Sequence, residues 1–153
     1  MKWRILVSAP YMQPVIERIR HVFEEYSAEI ILTRVNERLS EDELLGLMGD
    51  IDGVVAGDDH FTVKVLEKAV PRLKVLSKWG TGIDSFDLEA CERLGIAVRN
   101  TPNAFSEPVA DSVMGYILNF ARQLPAMDQQ MKSGLWTRFK VTHSMNPCSG
   151  SSG

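Results

Sequence analysis

Residues 73–87 read Leu73-Lys74-Val75-Leu76-Ser77-Lys78-Trp79-Gly80-Thr81-Gly82-Ile83-Asp84-Ser85-Phe86-Asp87. Leu73, Val75 and Leu76 make an apolar run suited to a buried strand, Gly80-Thr81-Gly82 interrupts it, and Asp87 can cap a helix carrying Leu88, Cys91 and Leu94 as far as Gly95. The order is strand, glycine turn, helix. Glycine on both sides of Thr81 permits backbone angles that other residues resist and leaves the amides of Thr81 and Gly82 uncovered. Amides beside a helix start bind anions.

Three readings of this turn compete. A dinucleotide fingerprint would need a glycine where Ser85 stands, and an acidic ribose ligand after the next strand, Ile96-Ala97-Val98, which runs instead into Arg99-Asn100. A nest for a smaller anion, such as a substrate carboxylate, needs only the two amides. A tight turn needs no ligand at all. Spacing leaves the last two open.

Upstream, strands and helices alternate. Arg4 to Ser8 reads as a strand, Pro14 to Tyr26 as a helix with Val15, Ile19, Val22 and Phe23 on one face, and Ile30-Ile31-Leu32 as a second strand. Ser40-Glu41-Asp42-Glu43 has capping-box spacing and opens a helix through Leu44, Leu45, Leu47 and Met48. Ile51 to Ala56 is a third strand, and Thr62 caps a helix over Val63 to Ala69 that Pro71 ends. Such alternation predicts a parallel sheet covered on both faces, of flavodoxin-like winding. Ligands of such sheets lie beyond the strands' carboxyl ends, here Ser8–Tyr11, Gly57–His60, Lys78–Gly82 and Arg99–Asn103. Within that set Asp58, Asp59 and His60 read more readily as a solvated polar loop than as a metal or catalytic cluster.

Downstream, a long helix runs from a Ser106 cap to Leu124, with Pro108 and Asp111 in positions that suit a helix start. Ala110, Val113, Met114, Ile117, Leu118, Phe120 and Ala121 cover more than one of its faces, which calls for partners on two sides. A shorter helix, Ala126 to Ser133, closes at Gly134, and Trp136 and Phe139 would pack back onto the core or a partner chain. Residues 141–153 have little apolar content and a glycine-serine end, and are expected to be disordered, as a cloning scar or a frameshift product.

Bulk properties narrow the class. In 153 residues, 17 Lys and Arg face 20 Asp and Glu for a net charge of −3, which makes no electrostatic case for nucleic acid. No apolar run reaches membrane-span length, and Met1-Lys2-Trp3-Arg4-Ile5-Leu6-Val7 is too short for a signal peptide and has no cleavage site, so a cytoplasmic protein is expected. Cys91 and Cys148 read as reduced thiols without metal spacing.

Taken together, Gly80-Thr81-Gly82-Ile83-Asp84, Asp87-Leu88-Glu89-Ala90, Leu94-Gly95-Ile96-Ala97-Val98, Asn100-Thr101-Pro102, Ser106-Glu107-Pro108-Val109-Ala110-Asp111 and Ala121-Arg122-Gln123-Leu124-Pro125 resemble the D-isomer-specific 2-hydroxyacid dehydrogenases. The phosphoglycerate dehydrogenase-like members are nearest. The resemblance implies a substrate-binding domain over 1–103, interdomain crossover helices over 104–140, and NAD as cofactor. It places a substrate carboxylate on the turn Gly80, Thr81 and Gly82, brings Thr81 close to the nicotinamide, and lets Lys78 add charge to the anion site. Relatives often carry an arginine where this chain has Gly57-Asp58-Asp59, and two carboxylates there would repel a phosphate, so a small 2-hydroxy or 2-keto acid is the expected substrate. The family's glycine-rich nucleotide motif and its catalytic arginine, glutamate and histidine have no counterpart in these residues, His143 included. No catalytic residue and no metal ligand is therefore assigned.

Three functions follow. One is the substrate-binding part of an NAD-dependent dehydrogenase, self-associating as a dimer through Val113, Ile117 and Phe120 of the crossover helix. The second is a non-catalytic carboxylate-binding or interaction module. The third, a receiver-like domain, is disfavoured because no acidic cluster follows Arg4 to Ser8.

Overall fold

The computed structural model describes residues 2–136, and the chain divides between Ala104 and Phe105 into two compact units. The first carries five strands, β1 (Trp3–Val7), β2 (Ala28–Leu32), β3 (Gly53–Ala56), β4 (Val75–Lys78) and β5 (Ala97–Arg99). Four helices connect them: α1 (Ile16–Glu25), α2 (Glu41–Leu47), α3 (Val63–Ala69) and α4 (Leu88–Leu94). All neighbouring strands are parallel and their order is β2-β1-β3-β4-β5, the flavodoxin-like winding.

Register explains the two layers. One transverse row, Ile31-Leu6-Val54-Leu76-Val98, is apolar across all five strands and packs with Leu44, Met48, Val65, Leu66 and Cys91 of the α2–α4 side. Successive strand residues point to opposite faces, so the next row, Leu32-Val7-Val55-Ser77-Arg99, belongs to the other face. There Val7 and Val55 pack with Met12, Ile16, Ile19 and Phe23, while Ser77 and Arg99 are polar. Among the described residues of this unit, α1 serves the second face of the apolar strands.

Helix starts follow local chemistry. Ser40 and Glu43 close the full capping box, Thr62 accepts from the Val65 amide at 3.4 Å, and Asp87 accepts from that of Ala90 at 2.9 Å. Gly95 ends α4. Several boundaries move. Gln13–Val15 is a 3-10 turn, so the first α-helix begins at Ile16 rather than Pro14. β4 begins two residues later than the apolar run, because the Leu73 amide still bonds the Ala69 carbonyl at 2.9 Å, closing α3. β4 ends at Lys78, which lies in the sheet opposite Ala56.

The second unit holds α5 (Ser106–Ala121) and α6 (Leu124–Lys132). Ser106 is not the cap: Phe105 occupies that position and gives no side-chain bond, while Ser106 is already helical. α5 stops at Ala121, short of Leu124, because Gln123 turns left-handed (φ 54) and Pro125 suits the first turn of α6. Neither helix has a buried residue, and Trp136 is 80% exposed. Phe139, His143, Cys148 and the expected disordered tail lie outside the described residues. Among the described residues no helix is long and apolar enough to cross a membrane.

Candidate functional site

Strand order brings β1 beside β3, the point at which the order of strand addition reverses and where crevices form in open parallel sheets. The segments leaving β1 and β3 are held tightly. Ser8 and Ala9 amides both donate to the Val55 carbonyl, at 3.0 and 3.2 Å. Gly57 has no room for a side chain, since a Cβ there would lie 3.0 Å from Pro10 Cδ and 3.3 Å from Ala9 Cα. Asp59 is fully buried and accepts from Ser8 Oγ at 2.5 Å and from the Leu39 amide at 2.6 Å. Its carboxylate thus pins the segment after β2 to the end of β1.

Asp59 was expected to oppose a bound phosphate together with Asp58; its burial removes it from that role. Asp58 alone of the pair is exposed. Lys78, itself buried, reaches under this loop and donates from Nζ to the Gly57 carbonyl at 2.6 Å and to Asp58 Oδ1 at 2.5 Å. That hydrogen bond and the ammonium charge, with Arg38 and His60 adding smaller attractions, hold the Asp58 carboxyl below its ordinary range. Lys78's charge is directed at Asp58 rather than at the glycine turn. His60 contacts Arg38 Nη1 at 3.1 Å and is exposed. Among the described residues no group of three or more His, Cys, Asp or Glu could hold a metal.

The glycine turn follows β4 directly. Trp79 donates its amide to the Ala56 carbonyl at 2.9 Å, and Gly80 adopts φ 148, a region that side chains rarely enter. Gly82 has no such angle, so only the first glycine is required by conformation. The segment after β5 braces the turn: the Thr101 amide donates to the Gly80 carbonyl at 2.9 Å, Asn100 Nδ2 to the Thr81 carbonyl at 2.7 Å, and Thr81 Oγ1 to the Thr101 carbonyl at 3.1 Å. Carbonyls and hydroxyl are thereby committed. The amides of Thr81 and Gly82 donate to nothing among the described residues, and both residues are exposed.

One expected contribution is missing. α4 starts only at Leu88, and Ile83 to Asp87 form a separate stretch bridged to Phe61, whose amide donates to the Ser85 carbonyl at 3.0 Å. The turn therefore does not open a helix, and no helix dipole backs its amides. That same break overturns a pyrophosphate site here, which needs glycine turn and helix start in immediate succession. At this turn, therefore, the described residues do not form a pyrophosphate-binding loop.

Trp79, the residue before the turn, lines a cleft of about 140 Å³ with Tyr11, Gly57 and Asp58, joined by Asn36 and Glu37 from the segment after β2. Asn36 and Glu37 were not among the expected site residues. The signal that could have found them is topological: β2 is the other neighbour of β1, and Asp59 ties its following segment inward.

Comparison with known proteins adds the following. Residues 5–146 match the family described as D-isomer specific 2-hydroxyacid dehydrogenase, catalytic domain. The D-3-phosphoglycerate dehydrogenase of Sus scrofa is 38% identical over 104 residues, covering 68% of this chain and 20% of that protein. The glyoxylate/hydroxypyruvate reductase HPR3 of Arabidopsis thaliana is 43% identical over 86 residues, 56% of this chain and 26% of that one. In fold, the crystal structure of NAD+-bound 3-phosphoglycerate dehydrogenase from Entamoeba histolytica superposes with a TM-score of 0.68 at 23% identity, covering 80% of this chain and 40% of that one. The chain therefore spans about a fifth to a quarter of the length of these two sequence relatives.

Proposed function

The chain belongs to the D-isomer specific 2-hydroxyacid dehydrogenase family, and from that premise we propose that it supplies the substrate-binding part of an NAD-dependent dehydrogenase acting on a small 2-hydroxy or 2-keto acid. The observation that carries this reading is the pair of undonated amides at Thr81 and Gly82, on a turn braced from both sides at the carboxyl edge of the sheet. Two adjacent N–H groups suit the two oxygens of a carboxylate, and a charge-assisted bond to an anion is stronger than one to water. Gly80 contributes through its φ, which sets the direction of the turn. Thr81, whose side chain is tied back to Thr101, keeps its backbone edge free for the substrate and for the nicotinamide side of the site. NAD, when bound by the family's nucleotide fold, supplies or removes the hydride at the substrate's C2 carbon. The task of these residues is to hold the acid in place.

A second proposal concerns assembly. On α5, Val113 is 49%, Ile117 54% and Phe120 87% exposed, an apolar series at helical spacing that supports a homodimer through this helix. Sedimentation at tens of micromolar checks it: a dimer that Ile117→Asp converts to monomer is expected, and a monomeric parent chain would rule it out.

The carboxylate reading is tested by amide chemical-shift mapping of the chain with glyoxylate, 2-ketoglutarate, 3-phosphoglycerate and then NADH. Thr81 and Gly82 are expected to move with the keto acids and to stay still with NADH alone. If those amides ignore every acid, the reading fails.

A further inference from the structure

A second cleft opens at the amino edge of the sheet, where the strands begin. It has a volume of about 320 Å³ and is lined by Lys2, Trp3, Asp52, Pro71, Arg72 and Lys74. Backbone bonds fix its walls: the Trp3 amide donates to the Ser27 carbonyl at 3.2 Å, the Lys74 amide to the Asp52 carbonyl at 2.8 Å, and the Ala97 amide to the Lys74 carbonyl at 2.9 Å. Between Lys74 and Gly80 the chain runs along β4, roughly 20 Å at about 3.3 Å per residue. This cleft and the glycine turn therefore lie at opposite ends of one strand.

Its cations are of two kinds. Arg72 is engaged, bonding Asp50 at 2.6 Å and Asp52 at 3.1 Å. Asp52 is buried and also accepts the Arg4 amide, so it lines the cleft as a satisfied group. Lys2 and Lys74 are exposed, and among the described residues neither side chain has a hydrogen bond or an ion pair. The lining sets three cations against one carboxylate. Arg4, its partner Asp50, and Glu29, opposite Arg4 in the sheet, widen that to four against three. The balance stays positive, and the two open charges are both ammonium groups.

The rest of the wall is apolar. Trp3 is 50% exposed, and Pro71 shares the lining with it. An indole left half-open in a concave site offers its face to a flat ring. Two open ammonium groups suit a phosphate monoester, close to a dianion at neutral pH, better than a single carboxylate. At about 30 Å³ for each water-sized group the cleft holds roughly ten, enough for one ring and its phosphate.

We infer that this cleft binds a flat aromatic ring carrying a phosphate, with the ring against Trp3 and the phosphate between Lys2 and Lys74. The site is separate from the Thr81 and Gly82 amides and does not depend on the carboxylate reading.

The chain is titrated with phenyl phosphate, AMP, adenosine and inorganic phosphate, following the Trp3 indole N–H and the amides of Trp3 and Lys74. Phenyl phosphate or AMP is expected to move these signals saturably, and the stronger of the two separates a single-ring phosphate from a nucleotide as the source of the chemistry. Inorganic phosphate, which has no ring, should bind at least about tenfold more weakly, and adenosine, which has no charge, more weakly than AMP. Trp3→Ala should weaken the better ligand at least about fivefold through loss of stacking. Lys74→Gln, at an exposed side chain without partners that the fold does not need, should weaken it about threefold. Silence of the Trp3 and Lys74 signals with both ring phosphates would overturn the inference. Inorganic phosphate binding as tightly as they do, or unchanged affinity in Lys74→Gln, would overturn it equally.

Discussion

At the amino ends of the strands the charges answer one another; at the carboxyl ends they are left open. Arg4 pairs with Asp50, Arg72 bonds Asp50 at 2.6 Å and Asp52 at 3.1 Å, and the Asp52 carboxylate accepts the Arg4 amide at 2.7 Å. Burial would raise the Asp52 carboxyl, but the Arg4 amide and the Arg72 guanidinium outweigh it and hold the group below its ordinary range. At the opposite edge, Asp58 has one partner and faces solvent, Glu37 lines a cleft, and two amides donate to nothing among the described residues. A network whose bonds close on themselves contributes to stability. An edge whose donors stay open contributes less and is available to a ligand.

The sharpest way to break this contrast is Asp59, which sits at the open edge but belongs energetically to the closed kind. Asp59→Ala leaves the Leu39 amide and the Ser8 hydroxyl buried without their acceptor, and should cost about 3 kcal/mol in urea denaturation. A loss under about 0.5 kcal/mol would make Asp59 a surface residue in effect. Next comes Gly80→Ala, where the φ of 148 disfavours any side chain by about 2 kcal/mol and turns the Thr81 and Gly82 amides out of line. Stability and glyoxylate shifts should fall together in that variant.

Arg72→Ala should cost about 1 kcal/mol at neutral pH, since the ion pairs are half-exposed. The sign with pH follows from the depressed Asp52 carboxyl: the stabilisation is fully present above the unfolded carboxylate value and is lost as pH falls through the lower folded one. The difference between parent and variant should therefore be flat from about pH 5 upward and shrink below about pH 4. A difference that grows on acidification would contradict the assignment. Gly82→Ala should be smallest, under about 0.5 kcal/mol, because its φ is unexceptional and the nearest atom to an added Cβ is Asp84 Oδ2 at 3.7 Å. Parity between the Gly80 and Gly82 variants would show that the turn has no strained member.

Much of the scaffold was legible in short-range chemistry. Ser40 with Glu43, Thr62 and Asp87 each cap the helix their spacing announces, and α3 spans the anticipated residues because Thr62 and the break at Pro71 bound it locally. The turn at Gly80 to Gly82, with two adjacent uncovered amides, was legible for the same reason, its parts being adjacent in sequence. What escaped depends on distant partners. β4 slipped by two residues because Leu73, apolar enough for a strand, remains bonded to α3. Glu37 gave no local sign of lining the cleft, and Asp59 looked solvent-facing because its partners stand 51 and 20 residues away.

From the sequence alone came the alternation of strands and helices, the capped helix starts, the glycine turn and the family, since each depends on periodicity or on residues within a few positions of one another. The tertiary structure decided which carboxylates are buried, where Lys78 directs its charge, that no helix backs the turn, and which segment completes the cleft. Those outcomes follow from strand order and burial, which bring together residues that the chain keeps far apart.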